Sequence, residues 1–97
     1  MGFFRNIFKS PGKGELKEKI QNGALLLDVR SREEYNSGHA AGSVNIPLDI
    51  LPDEIRNLNK DIPIVAICLS GARSAYAVNL LKSEGFEAYN GGGWQSF

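Results

Sequence analysis

Residues 63–85 read PIVAICLSGARSAYAVNLLKSEG. Ile64, Val65, Ala66 and Ile67 form an apolar run straight after Pro63, and three of the four are β-branched. A run of that kind fits a strand buried on both faces, as in a parallel sheet. From Arg73 to Glu84 the period changes. Ala77, Leu80, Leu81 and Glu84 step by three and four, which predicts a helix, and Gly85 stops it. Cys68 to Ala72 join the two. This strand, short loop and helix decide the fold, and the rest of the chain repeats the alternation.

Upstream, Ala24 to Val29 is a second continuous apolar stretch, broken only by Asp28, and reads as another buried strand. Ser31 and Glu34 have capping-box spacing, so a short helix is expected to begin there. Gly38 and Gly42 bracket a loop around His39. Val44 to Ile46 reads as a short strand ended by Pro47, and Pro52 to Leu58 as a helix with proline in its first turn. Nearer the start, Glu15 to Asn22 predicts a helix with Leu16 and Ile20 on one face and Gly23 as its stop. Downstream, Phe86 to Tyr89 reads as a last strand, followed by Gly91-Gly92-Gly93-Trp94. Strands and helices alternating at such intervals imply an α/β fold: a small, mostly parallel sheet flanked by helices.

Ninety-seven residues make one small domain, and 42% hydrophobic with 23% charged residues is the composition of an ordinary globular protein. The net charge is zero, so no basic footprint for nucleic acid is present. Residues 1–14 nonetheless carry Arg5, Lys9 and Lys13 without an acid, and are read as a basic flexible leader before a single domain over residues 15–97. Phe4, Ile7 and Phe8 share a helical face there, a faint sign of membrane adhesion set below the expectation of a fraying leader. No apolar run approaches the roughly 20 residues of a membrane-spanning helix, and the cytoplasm is the expected location.

The chain holds one cysteine and one histidine. That excludes an intrachain disulfide, a dithiol redox centre and a Cys/His zinc site. No metal and no cofactor are expected. If Cys68 does chemistry, it does so alone.

Ligands of open parallel sheets bind beyond the carboxyl ends of the strands. The first buried strand delivers Asp28 and Arg30 there, and the clearest one delivers Cys68. The loop Leu69-Ser70-Gly71-Ala72-Arg73-Ser74 runs into a helix N-terminus, where backbone N–H groups converge and favour negative charge. Gly71 permits positive φ or close approach. Cysteines so placed have pKa values of about 3.5–7.5. The same cradle suits an anionic substrate. Arg73 opposes the helix dipole at a cost of roughly 0.3–1 kcal/mol, and an anion in the loop would account for it. Ser74 reads equally as a helix cap or as a hydroxyl partner of the sulfur.

Cys68-x-x-Gly71-x-Arg73-Ser74 resembles the active-site loop of the rhodanese (thiosulfate sulfurtransferase) family. Leu27-Asp28-Val29-Arg30, Glu34-Tyr35, Gly38-His39, Gly42-Ser43 and Asn45-Ile46-Pro47 match as well, and Gly91-Gly92-Gly93-Trp94 is similar to the family's Gly-Gly-Trp. The similarity covers residues 15–97. It implies a rhodanese-like three-layer fold of the single-domain type. It also implies a sulfane sulfur passing from a small anionic donor such as thiosulfate to Cys68, held as a persulfide, then to cyanide or a thiol acceptor. The alternative is a persulfide carrier or docking module loaded and unloaded by protein partners, among them a sulfur-accepting protein. A phosphatase or arsenate-type enzyme on the same fold is disfavoured, because Cys68 to Arg73 spans six residues and the related phosphatases carry one more.

Leu69, Ser70, Gly71, Ala72, Arg73 and Ser74 are thus the expected substrate-binding residues. Leu69 and Ser70 face outward to tune which donor or acceptor docks. Asp28 and Arg30 are expected to pair with each other or with loop backbone beside the site. Glu34 is read as a cap, His39 as a structural hydrogen-bonding residue and Trp94 as core or pocket wall. Relatives usually continue past the Gly-Gly-Trp into a further short helix. Here the sequence stops at Phe97, so the pocket is expected to be open on that side or closed by a partner. The segment before Glu15 lacks the family's usual strand-and-turn opening, so no first edge strand is expected.

Overall fold

Burial on both sides is what the run around Ile64 demands, and the sheet supplies it. The computed structural model describes residues 11–97. Its elements are α1 (Lys13–Gln21), β1 (Leu25–Asp28), α2 (Arg32–Ser37), β2 (Val44–Asn45), α3 (Leu51–Glu54, extended by a 3-10 turn Ile55–Asn57), β3 (Ile64–Cys68), α4 (Ala72–Ser83), β4 (Ala88–Gly93) and a 3-10 turn Trp94–Ser96. The four strands lie in the order β2-β1-β3-β4, all parallel. The two most apolar strands therefore hold the centre, and β3 is buried along its whole length.

Alternate residues of the central strands feed two cores. Leu27 of β1 and Ile64, Ala66 and Cys68 of β3 face α3 and α4, packing with Leu51, Ile55, Ala77, Val78 and Leu81. Leu26, Val65 and Ile67 face the other way, against Leu16 of α1, Ala40 and the partly buried Trp94 and Phe97. The result is the expected three layers.

Local chemistry explains most boundaries. Ser31 accepts from the Glu34 N–H while the Glu34 carboxylate accepts from the Ser31 N–H, so the predicted capping box opens α2. The helix expected over Pro52 to Leu58 is split into an α turn and a 3-10 turn. Helix α1 begins at Lys13, two residues before the expected Glu15, so Lys13 and Gly14 belong to the folded unit. The expected leader otherwise falls largely on residues 1–10, outside the described residues.

The largest departure is β4. Its expected span ended at Tyr89, yet it runs on through Gly91, Gly92 and Gly93. Ala66 pairs with Asn90 and Ile67 with Gly92, so Gly91 is an extra residue in a bulge. A side chain there has no room: a Cβ on Gly91 would lie 2.8 Å from Ile67 and 3.0 Å from Val65 and Phe97. Only glycine lets the strand continue over that part of β3. The bulge carries the end of β4 to the exit of β3.

Candidate active site

Cys68 is the last residue of β3 and is 1% exposed. Gly71 caps α4 with φ 105°, a left-handed conformation that glycine adopts without Cβ strain. That turn aims the loop inward. The Gly71 N–H donates to Cys68 Sγ at 3.0 Å and the Ser74 N–H at 3.4 Å. Ser74 Oγ also lies 3.4 Å from the sulfur. Burial pushes the thiol up, but the hydrogen bonds that the ionised sulfur can draw from the Ser74 hydroxyl and from the Ser74, Gly71 and Ser70 backbone outweigh it. Its pKa is held below the ordinary thiol value.

Ser74 stands beside the sulfur rather than capping the helix. Helix α4 has no side-chain cap, and Ser74 is fully buried beside the sulfur. Leu69 is 61% exposed and Ser70 is exposed too, so both face outward as expected. Ala72 opens α4.

Arg73 finds its counter-charge within the protein. Its guanidinium grips Glu34 through Nη1–Oε1 at 2.7 Å and Nη2–Oε2 at 3.0 Å. Glu34 is therefore more than the expected cap. The Arg73 side-chain bonds and the Ser31 N–H hold its carboxyl down from 4.5 to about 2. The dipole penalty that called for an anion near Arg73 is met by this carboxylate, and α2 is thereby tied to the start of α4.

Asp28 and Arg30 pair as expected. Arg30 Nη2 donates to Asp28 Oδ2 at 2.8 Å and Nε donates to the same carboxylate. Both residues are buried, at 0% and 3% exposure. Arg30 also donates to the carbonyls of Glu34 and Gly38 and lies under the Trp94 ring, 4.5 Å from its centroid. This pair fastens the exit of β1 to α2, the Gly38 loop and the chain's end. Trp94 packs on the second core and over Arg30, as the core reading has it. His39 stacks on Tyr35 and donates to the Tyr35 carbonyl through Nδ1, a structural role.

The part of Asn90, and the place of Gly93 under the Cys68 loop, were not legible in the sequence. The Asn90 amide donates to the Gly71 carbonyl at 2.9 Å and accepts from Ser74 Oγ at 2.6 Å. A Cβ on Gly93 would stand 2.9 Å from the Leu69 carbonyl oxygen. The end of β4 is thus the floor under the Cys68 loop. An asparagine before a run of glycines is a common turn pattern, and nothing in it signals contact with residues near 70.

Among the described residues, no group of three or more His, Cys, Asp or Glu side chains is placed to hold a metal ion. None of the described helices is long and apolar enough to cross a membrane.

The rhodanese-like domain model matches residues 13–97. This chain belongs to the rhodanese-like family. YrkF of Bacillus subtilis (strain 168), provisionally named a sulfur carrier protein, is 40% identical over 73 residues. Those cover 73% of this chain and 40% of YrkF, so the chain spans well under half of that relative. The thiosulfate sulfurtransferase GlpE of Pseudomonas putida (strain GB-1) is 30% identical over 78% of this chain and 69% of its own length. The crystal structure of a rhodanese-related protein from Thermoplasma volcanium superposes with a TM-score of 0.79 and 36% identity. It covers 92% of this chain and 89% of that one. The family is one of sulfurtransferases and sulfur carriers, on a small parallel sheet flanked by helices.

Proposed function

We propose that this rhodanese-like chain moves a sulfane sulfur through a persulfide on Cys68. One observation carries the reading: the only thiol in the chain sits in a ring of backbone N–H donors, with Gly71 at 3.0 Å and Ser74 at 3.4 Å. Donors so placed stabilise a thiolate nucleophile and the anionic sulfur it would carry.

The chemistry balances without metal, resolving thiol or cofactor. The Cys68 thiolate attacks the outer sulfur of thiosulfate. The S–S bond of the donor breaks, and sulfite leaves with the bonding pair. Cys68 then holds a persulfide anion. Cyanide or a thiolate attacks the terminal sulfur, and the new S–S bond breaks toward Cys68, restoring its thiolate. In this reading Cys68 is catalytic. Leu69, Ser70, Gly71, Ala72, Arg73 and Ser74 line the binding loop, while Asp28 and Arg30 brace β1, α2 and Trp94 beside it. A lone thiol suits a reducing compartment, and the reading places the protein in the cytoplasm.

Two features favour a second reading, a carrier loaded and unloaded by partner proteins. Arg73, the one cation in the loop, is engaged by Glu34 in a bidentate pair and is less available to a free anion. Leu69, 61% exposed at the rim, offers an apolar contact to a docking protein.

Incubation with thiosulfate followed by intact-protein mass spectrometry tests the persulfide. The expected result is a one-sulfur gain, removed by cyanide and absent in Cys68→Ala. Steady-state thiocyanate formation then separates enzyme from carrier. A wild-type protein that gains no sulfur from thiosulfate overturns the enzyme reading, and one that also gains none from a persulfidated donor protein overturns both.

A further inference from the structure

Cys68 and Asn90 both face a single proton on Ser74. Ser74 Oγ lies 3.4 Å from Cys68 Sγ and 2.6 Å from Asn90 Oδ1. The orientation of the Asn90 amide is fixed twice over. Its Nδ2 donates to the Gly71 carbonyl at 2.9 Å, and its Oδ1 accepts from the Gly92 N–H at 2.9 Å. Oδ1 therefore accepts from Ser74, and the hydroxyl proton points away from the sulfur. What Ser74 presents to Cys68 in this arrangement is a lone pair, which suits a thiol S–H and opposes a thiolate.

From this geometry we propose that Asn90 is a positioning residue that sets the charge state of Cys68 through Ser74. In the resting thiol, protons run from Cys68 to Ser74 and from Ser74 to Asn90. When Cys68 ionises, the hydroxyl swings from Asn90 to the sulfur. Asn90 Oδ1 keeps the Gly92 N–H, so the amide is not left unsatisfied. The thiolate gains one donor at the expense of the Ser74–Asn90 bond, which makes Asn90 a brake on ionisation. The same side chain tethers the loop at the Gly71 carbonyl, so brake and tether are built from one amide.

Arg73 of α4 faces Glu34 of α2, and Asp28 at the end of β1 faces Arg30. Cys68 and Asp28 both act on Arg73 through space. Asn90 is uncharged, so replacing it with a neutral residue leaves these charges in place.

The proposal rests on Cys68 being the nucleophile of the site. It is tested by alkylation with iodoacetamide, which needs no sulfur transfer. Rates are measured against pH for wild type, Asn90→Ala, Ser74→Ala and the double variant, each checked for cooperative melting. The tether is lost with Asn90 in either background and cancels from the comparison. Competition for the proton exists only where Ser74 is present. Below the wild-type midpoint, Asn90→Ala is expected to speed alkylation roughly two- to fivefold more in the presence of Ser74 than in the Ser74→Ala background, the effect of one hydrogen bond. An equal effect in both backgrounds, or a larger slowing with Ser74 present, overturns the proposal. Should Asn90→Ala melt without cooperativity, the near-isosteric Asn90→Leu gives the same comparison. If the thiosulfate adduct fails while this coupling persists, the transfer reading falls and the positioning role stands.

Discussion

At the residue scale, the site depends on where single charges and single protons are placed. Glu34 shows this most clearly. Its carboxylate serves the Ser31 N–H and the Arg73 guanidinium at once, and its pKa falls from 4.5 to about 2. Because the folded value lies below the unfolded one, the stabilisation is complete above pH 4.5 and is lost as pH falls through about 2. Glu34→Gln should therefore melt at a lower temperature than wild type at neutral pH, with the gap closing across that acidic window. Both partners are more than a third or close to a third exposed, at 38% and 33%, so solvent screening keeps the effect under about 1 kcal/mol. Thermal melts at a series of pH values check this. A gap that stays constant down to the acid limit would remove the ion pair from the account. The capping box was legible in the Ser31–Glu34 spacing. The pairing of Glu34 with Arg73 was not, because it joins residues 39 positions apart in sequence.

At the scale of elements, β3 and α4 were readable because each repeats one physical signal. The Pro63-to-Ile67 run has no polar face, and the Ala77, Leu80, Leu81 spacing has a clear one. The continuation of β4 was not readable. Glycine is a poor strand residue by propensity, and Gly91-Gly92-Gly93 lies in β4 for reasons that exist only after folding. Gly91 must clear Ile67, and Gly93 must clear the Leu69 carbonyl. Asn90 was obscured in the same way, since its hydrogen bonds reach Gly71 and Ser74 across the sheet. This gives a prediction at the level of the loop. Gly93→Ala puts a Cβ 2.9 Å from a backbone oxygen that cannot swing aside as a side chain can. The expected cost is about 1–3 kcal/mol in urea unfolding, with slower alkylation of Cys68 because the loop shifts. A variant as stable and as reactive as wild type would show that β4 does not shape the loop.

At the scale of the whole molecule, the two cores and the all-parallel sheet bring β1, β3 and β4 to one edge. The ends of β1 and β3 supply the Asp28–Arg30 pair and Cys68, and the bulged middle of β4 supplies Asn90. No one element makes the sulfur unusual. Burial against α4 raises its pKa, and donors gathered from the loop and helix lower it by more. The depression is consequently a property of the folded state. A folded pKa below the unfolded one adds stability above the unfolded value, and that stability is lost as pH falls through the folded value. Titrating Cys68 by its ultraviolet thiolate absorbance, once in native buffer and once in denaturing urea, tests the central claim most directly. A native midpoint below the ordinary thiol value of 9.0, rising toward it on unfolding, is the predicted result. A native midpoint equal to or above the unfolded one would contradict the account.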